Sequence, residues 1–225
     1  PKAFSIWASE LADRFDVSFH VPIARTVVKG LHEGEYAPVR LGDMAANIFI
    51  PPRFKRIYVP KEYGIPFLQG SHLPQVRPYD LKYISLKANA KHIDECLIKT
   101  GYVLVTRSGT IGRIGLVSSY KDKWAATDDL VRIVPDHSKG HPGYIAAFLM
   151  TPYGQHQLKV RIYGGVIDHL EVPHVESVLV PNPPQDIQTL IGERVVQAFE
   201  KKDKASAIEE AAIRKVERLL TNRQD

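Results

Sequence analysis

Gly101–Val117 reads GYVLVTRSGTIGRIGLV, and this stretch decides the fold. An apolar run, Tyr102–Val105, breaks into a Ser/Gly/Thr loop and resumes as Ile114–Val117. That order predicts a strand, a tight turn and a second strand. Arg107 and Arg113 flank the turn, with hydroxyls at Thr106, Ser108 and Thr110. Backbone amides, hydroxyls and guanidinium forks on one loop suit contact with phosphate or base edges. Gly109, Gly112 and Gly115 serve turn geometry and close strand packing.

Outward from this hairpin the pattern repeats. Further candidate strands are Arg56–Val59, Ile65–Gln69, Tyr83–Leu86 and Leu130–Val134. Pro51-Pro52, Pro60, Pro74 and Pro78 confine the intervening stretches to loops or sheet edges. The spacing predicts an α+β fold with a mixed, mostly antiparallel twisted sheet and peripheral helices. Those helices are expected within residues 4–31, where Ile6, Trp7, Leu11 and Phe15 recur at helical spacing before Pro22, at Ile23–Leu31, and over Pro142–Leu158. A polar glycine loop, RIYGGVIDHL (Arg161–Leu170), precedes a short strand at Val178–Val180, which PNPP (Pro181–Pro184) stops.

Beyond Pro184 the composition changes. Gln185–Asn222 holds no proline and one glycine, Gly192. Ile187, Ile191, Val195, Ala198, Ala205, Ile208, Ala212, Val216 and Leu219 form a narrow apolar stripe near the coiled-coil period. A helix this long, on the order of 50 Å, is expected to project from the body and to need another helix on its stripe. EKKDK (Glu200–Lys204) is the expected weak spot between its halves. The chain divides at 1–185 and 186–225, a body and a helix.

Bulk composition narrows the class. A hydrophobic content of 44% is that of a globular rather than a disordered chain. No apolar stretch reaches the ~18 residues of a membrane-spanning helix, so no membrane role is expected. The start, PKAFSIWASELADRF, lacks an initiator Met and any secretory leader, so the numbering is expected to begin inside a longer or processed chain. The single cysteine, Cys96, excludes an internal disulfide, and a cytoplasmic setting is expected. Net charge is +5, and it is uneven. Between Arg53 and Arg132 there are 14 Lys/Arg against 7 Asp/Glu, whereas Asp186–Asp225 has 8 of each. A basic middle suits a polyanion and a balanced tail suits protein or water, although a solvated basic surface gives the same count.

Three segments in this order resemble the specificity subunits of type I restriction–modification systems: GIPFLQGSHL (Gly64–Leu73), TGYVLVTRSGTIGRIGLV with ATDDLVRIVP (Ala126–Pro135), and VLVPNPPQDIQTLIGERV. DRFDVSFHVP near the start resembles the opening of one target recognition repeat. The resemblance covers nearly the whole chain at one repeat's length. It implies a target recognition domain followed by a spacer helix that packs in an antiparallel coiled coil. It also implies double-stranded DNA, DNA adenine methyltransferase subunits and a restriction (nuclease/translocase) subunit as partners. The helix would meet a second recognition repeat or a homodimer partner. No cofactor and no catalysis are implied. The chain would be a half-size subunit, part of a two-repeat polypeptide, or the recognition region of a fused methyltransferase/nuclease. Gln185-Asp186 stands where the family usually has Glu-Gln after the proline cluster.

On that reading the DNA-contact candidates lie on polar loops. They are Arg53, Lys55 and Arg56; Gln69, Ser71, His72 and Arg77 (with Gln75 between them); Arg107, Ser108, Thr110 and Arg113; Lys121 and Lys123; and Arg161 and Tyr163. The resemblance is strongest at the turn, where discrimination between members is least expected. Arg107 and Arg113 are therefore assigned to phosphate or to bracing the sheet. Base readout is expected near residues 53–62, 70–80, 118–125 and 160–168. Enzyme-like fragments do not assemble. PNPP resembles the Asn-Pro-Pro-aromatic motif of adenine methyltransferases, but Gln185 holds the aromatic position. GTIGRIG does not fit a dinucleotide or phosphate loop. Asp128-Asp129 reads as an ion pair or cap rather than a metal site, and His72 and His169 read as polar surface groups. The rival classes are an enzyme with an unrecognised site and a scaffold whose basic surface meets an acidic protein.

Overall fold

The computed structural model describes residue 5, residues 22–160 and residues 169–221. The chain opens with α1 (Pro22–His32), β1 (Pro38–Arg40), β2 (Ala45–Phe49), β3 (Tyr58–Val59), β4 (Gly64–Leu68) and β5 (Lys82–Ser85). A single turn, α2 (Ile93–Cys96), leads to the hairpin β6 (Val103–Thr106) and β7 (Ile114–Leu116), then β8 (Ala125–Ala126) and β9 (Leu130–Pro135). Helices α3 (Pro142–Met150), α4 (Pro152–Val160) and α5 (Val172–Glu176) precede β10 (Leu179–Pro181) and the terminal α6 (Gln185–Thr221).

Two four-stranded sheets carry the body. One has the order β2-β9-β6-β7, all antiparallel; the other is β3-β5-β4-β8, antiparallel except for the parallel pair β4–β8. A third ribbon pairs β1 with β10. All the expected strands form, with ends shifted by a residue or two. β1, β2 and β8 were not legible: AANIF at β2 carries too few branched residues to read as a strand. The helix expected over Pro142–Leu158 divides at Thr151, which is extended (φ −68°, ψ 159°) because the ring of Pro152 disfavours helical backbone before it. The helical spacing of Ile6, Trp7, Leu11 and Phe15 lies outside the described residues.

The alternation of β6 and β9 sorts the core. Val103, Val105, Val131 and Ile133 point one way, onto Ile145 and Leu149 of α3, with Val195, Val196 and Phe199 of α6 packed against the same cluster. Leu104 and Leu130 point the other way, onto Leu68, Ile98 and Ala126 beneath the second sheet. Arg132 shares that inner face and is fully buried. Its guanidinium donates to the carbonyls of Ala126 (2.7 Å), Thr127 (3.0 Å), Leu130 (2.6 Å) and Cys96 (3.4 Å). Burial pulls its pKa down to about 10, so it is charged at neutral pH. One cation surrounded by carbonyl dipoles thus joins the two sheets.

Helix α6 does not stand off the body as expected. Gly192, the one glycine of the tail, marks where α6 crosses α3: a Cβ on Gly143 would overlap the Gly192 backbone, and one on Gly192 would overlap the His141 ring. Polar side chains continue the seam. Lys202 Nζ donates to Leu73 O at 2.6 Å, and the buried Asp203 accepts from Ser118 Oγ and Lys121 Nζ. Glu209 holds Arg77 and Glu210 holds Lys61. EKKDK is therefore an anchor rather than a weak spot. Its charges read as an interruption because their partners lie more than 80 residues away. Only residues 211–220 are exposed on every side.

Replacing Arg132 with Met keeps the unbranched stem but takes the Arg132 donors from the buried carbonyls of Ala126 and Leu130, each at a cost of about 1–3 kcal/mol. Arg132→Met is expected to lower unfolding stability by on the order of 3 kcal/mol in denaturant titrations. A loss under about 1 kcal/mol contradicts the bridging role.

Candidate nucleic-acid interface

The loop Thr127–Asp129, between β8 and β9, gathers the polar groups of three other segments. Its backbone is tied to the sheets by Thr127 N–H to Leu68 O (3.0 Å) and Arg107 N–H to Asp129 O (3.0 Å). Asp128 is 5% exposed and takes two guanidiniums, Arg53 Nε at 2.9 Å and Arg56 Nη2. Arg56 also lies over the Phe67 ring and reaches Thr127 Oγ1 at 3.4 Å. Asp129 accepts instead from hydroxyls: Ser108 Oγ at 2.8 Å and Thr127 Oγ1 at 3.4 Å.

The β6–β7 turn is braced from within. Thr106 Oγ1 donates to Thr110 O (2.6 Å) and accepts from Arg113 N–H (2.9 Å). Gly109 and Gly112 take φ of +65° and +85°, a region where a Cβ is strained. Arg107, expected on phosphate, donates to Leu170 O (3.1 Å) and pairs with Glu171. It fastens the turn to the start of α5. Arg113 has no ion pair among the described residues. Between the turn and Gln69–Ser71 lies an open cavity of about 260 Å³ lined by Gln69, Ser71, Thr110, Arg113, Thr127 and Asp129, among others.

The structure thus brings Arg53, Arg56, Gln69, Ser71, Arg107, Ser108, Thr110 and Arg113 around one loop. It takes Arg77 and Lys121 elsewhere, onto Glu209 and Asp203 of α6. Lys55 and Lys123 are exposed, Lys123 at the left-handed φ of +61°. Arg161 and Tyr163 lie outside the described residues. His72 is not a surface group: it is 5% exposed, and its Nδ1 accepts from Gln69 N–H at 3.1 Å, closing a short helical turn. His169 is half-buried, and its Nδ1 has no partner among the described residues. The expected ion pair at Asp128 is present. Thr127 and Asp129, which line the cavity, were not among the candidates; two acids at the end of a basic stretch were the available signal. PNPP closes β10 and opens α6, with Gln188 Nε2 donating to Asn182 Oδ1 and Pro183 O. Cys96 is buried, which raises its thiol pKa and disfavours a nucleophilic thiolate. Among the described residues no helix is long and apolar enough to cross a membrane.

A braced α+β body with cationic, hydroxyl-bearing loops on one site and a long helix strapped to it is the architecture of a DNA-recognition module. The sequence profile of the type I restriction modification DNA specificity domain matches residues 33–218, and the chain belongs to that family. No curated protein matches the chain. Among solved structures, one describing complex assembly and conformational transition of a type I R-M system superposes with TM-score 0.55, at 15% identity, over 91% of this chain and 50% of that one. The HsdS subunit from Thermoanaerobacter tengcongensis gives TM-score 0.53 at 18% identity, covering 85% and 50%. The type IIG restriction endonuclease BpuSI gives 0.55 at 10%, covering 82% and 28%. These likenesses are of fold, and the chain spans half or less of each of those proteins. Family membership makes the chain a DNA target-recognition domain.

Burial holds the His72 pKa below its usual 6.5. Its neutral form, which closes the Gln69–His72 turn, contributes stability that is full above the unfolded value and lost as pH falls towards the folded one. Thermal unfolding compared at about pH 7.5 and about pH 5.5 is expected to show a drop that is smaller in His72→Asn, whose Oδ1 keeps an acceptor without titrating.

Proposed function

We propose that this chain reads one half of a bipartite duplex target for a type I-like restriction–modification assembly, without catalysing a reaction itself. The body, 1–185, meets the DNA, and the helix, 186–225, sets spacing and assembly. The observation that carries this is the convergence of loops on Thr127–Asp129 in a chain of this family. Arg53, with 73% of its side chain exposed, and Arg113 lie there as cations with reach to spare. Lys55, Lys123, Ser71 and Thr110 are exposed and add phosphate and sugar contacts. Gln69, Ser108 and Arg56 support the same face. Arg107, His72, Arg77 and Lys121 position loops through their own protein partners.

Seven of the nine stripe residues predicted on α6 face away from the body, whereas Val195 turns onto the core and Ile187 is half-buried. Ile191, Ala198, Ala205, Ile208, Ala212, Val216 and Leu219 are exposed, Ile208 at 62% and Leu219 at 65%. An antiparallel coiled coil with the spacer helix of a second repeat, or of a second copy of this chain, covers such a face. DNA adenine methyltransferase subunits, with or without a restriction subunit, are the assembly that receives the DNA. A recognition domain within a fused methyltransferase/nuclease is the second reading, which the likeness to BpuSI, one of fold alone, does not favour over the first.

Purified chain is expected to bind duplex DNA at low salt and to weaken steeply as salt rises, since each phosphate contact contributes a log–log slope of about −0.9. Binding that is absent at low salt, with and without a methyltransferase partner, overturns the reading. Ile208→Asp on the outward stripe is expected to shift the oligomer or complex to a smaller species by light scattering, with the unfolding midpoint of the body unchanged.

A further inference from the structure

Two opposite charges line the cavity between the β6–β7 turn and Gln69–Ser71, and they do not neutralise each other. Among the described residues neither Arg113 nor Asp129 forms an ion pair. Their neighbours are already committed: Arg53 and Arg56 to Asp128, and Arg107 to Glu171. Each Asp129 oxygen takes one hydroxyl, from Ser108 at 2.8 Å and Thr127 at 3.4 Å. A carboxylate has about four lone-pair sites, so acceptor capacity is left over on both oxygens. The base of the Arg113 side chain is fixed by its N–H on Thr106 Oγ1 at 2.9 Å.

A phosphate alone suits Arg113 but is repelled by Asp129. The pair calls for a ligand that offers acceptors to the fork and a donor to the carboxylate. In the major groove a G·C pair presents N7 and O6 acceptors on guanine, then the N4 donor of cytosine. The other pairs place their donors and acceptors in a different order. We infer that Arg113 and Asp129 together read one C·G base pair, the guanidinium taking guanine O6/N7 and the carboxylate accepting from cytosine N4. This rests on the proposal that the Thr127–Asp129 face meets duplex DNA. It departs from the sequence-based assignment of Arg113 to phosphate or to bracing the sheet.

The experiment is selection from a randomised duplex library with the full chain, comparing wild type with Arg113→Ala and Asp129→Asn. Wild type is expected to enrich a motif containing a C·G pair. Asp129→Asn shifts that column from cytosine towards adenine, because an amide pairs with adenine N6/N7. Arg113→Ala flattens the same column, with discrimination falling by roughly tenfold or more. Other columns stay as they are. Asp129→Glu, the second variant should Asp129→Asn unfold, keeps cytosine at that column with weaker preference. The inference is overturned if the variants select the wild-type motif with uniformly lower affinity. It is overturned equally if Arg113→Ala only lowers the salt slope by about one, the mark of a phosphate contact. A wild type that enriches no motif removes the DNA-reading proposal itself, an outcome distinct from both.

Discussion

The interior cation Arg132 is the constraint on which the rest depends. Its donors end on the carbonyls of Ala126, Thr127 and Leu130, so it fixes from beneath the backbone whose side chains gather the surface site. With the loop so held, Asp128 can draw in Arg53 and Arg56, and Asp129 can meet Ser108. A hydrophobic residue at 132 would take the Arg132 donors from the buried Ala126 and Leu130 carbonyls, and the loop would have to find water or move. Core and site are therefore one polar network, reached from below by a guanidinium and from above by carboxylates.

Helix α6 solves two packing problems with one sequence. Its inner face runs from Gln188 and Gly192 through Val195, Phe199, Asp203 and Ser206, changing from apolar to polar as the surface beneath changes from α3 to the loops. Its outer face keeps the apolar spacing from Ile191 to Leu219 and is exposed among the described residues. A buried Asp203 paired with Lys121 holds orientation more than it adds stability, because desolvation offsets much of the Coulomb attraction. The helix is thus held at a set angle to the loops it anchors.

Much of this was legible. The hairpin at Gly101–Val117 follows from an apolar run, a glycine turn and a second apolar run, and pairing of Val103 with Leu116 realises it. The long helix and its outward stripe follow from periodicity alone. What was hidden is burial, together with partners that only the folded chain brings into place. Nothing local marks Arg132 as interior, since its partners are main-chain carbonyls that every sequence possesses. Nothing marks His72 as a buried acceptor or Asp203 as an anchor, since Gln69 and Ser118 are recognisable as partners only once the chain is folded. Ionic side chains report their neighbours, and sequence does not.

The same limit bears on charge. The excess of seven cations between Arg53 and Arg132 counts only the acids inside that window. Lys61, Arg77, Arg107 and Lys121 pair with Glu210, Glu209, Glu171 and Asp203, all from beyond it. Four of the seven are thereby offset, leaving three. Those that remain, with the exposed arms of the paired ones, supply the phosphate contacts that make binding salt-dependent. Phosphate contacts carry no sequence information, and a loop braced by Thr106, Asp128 and Arg132 holds its few open groups in a fixed geometry.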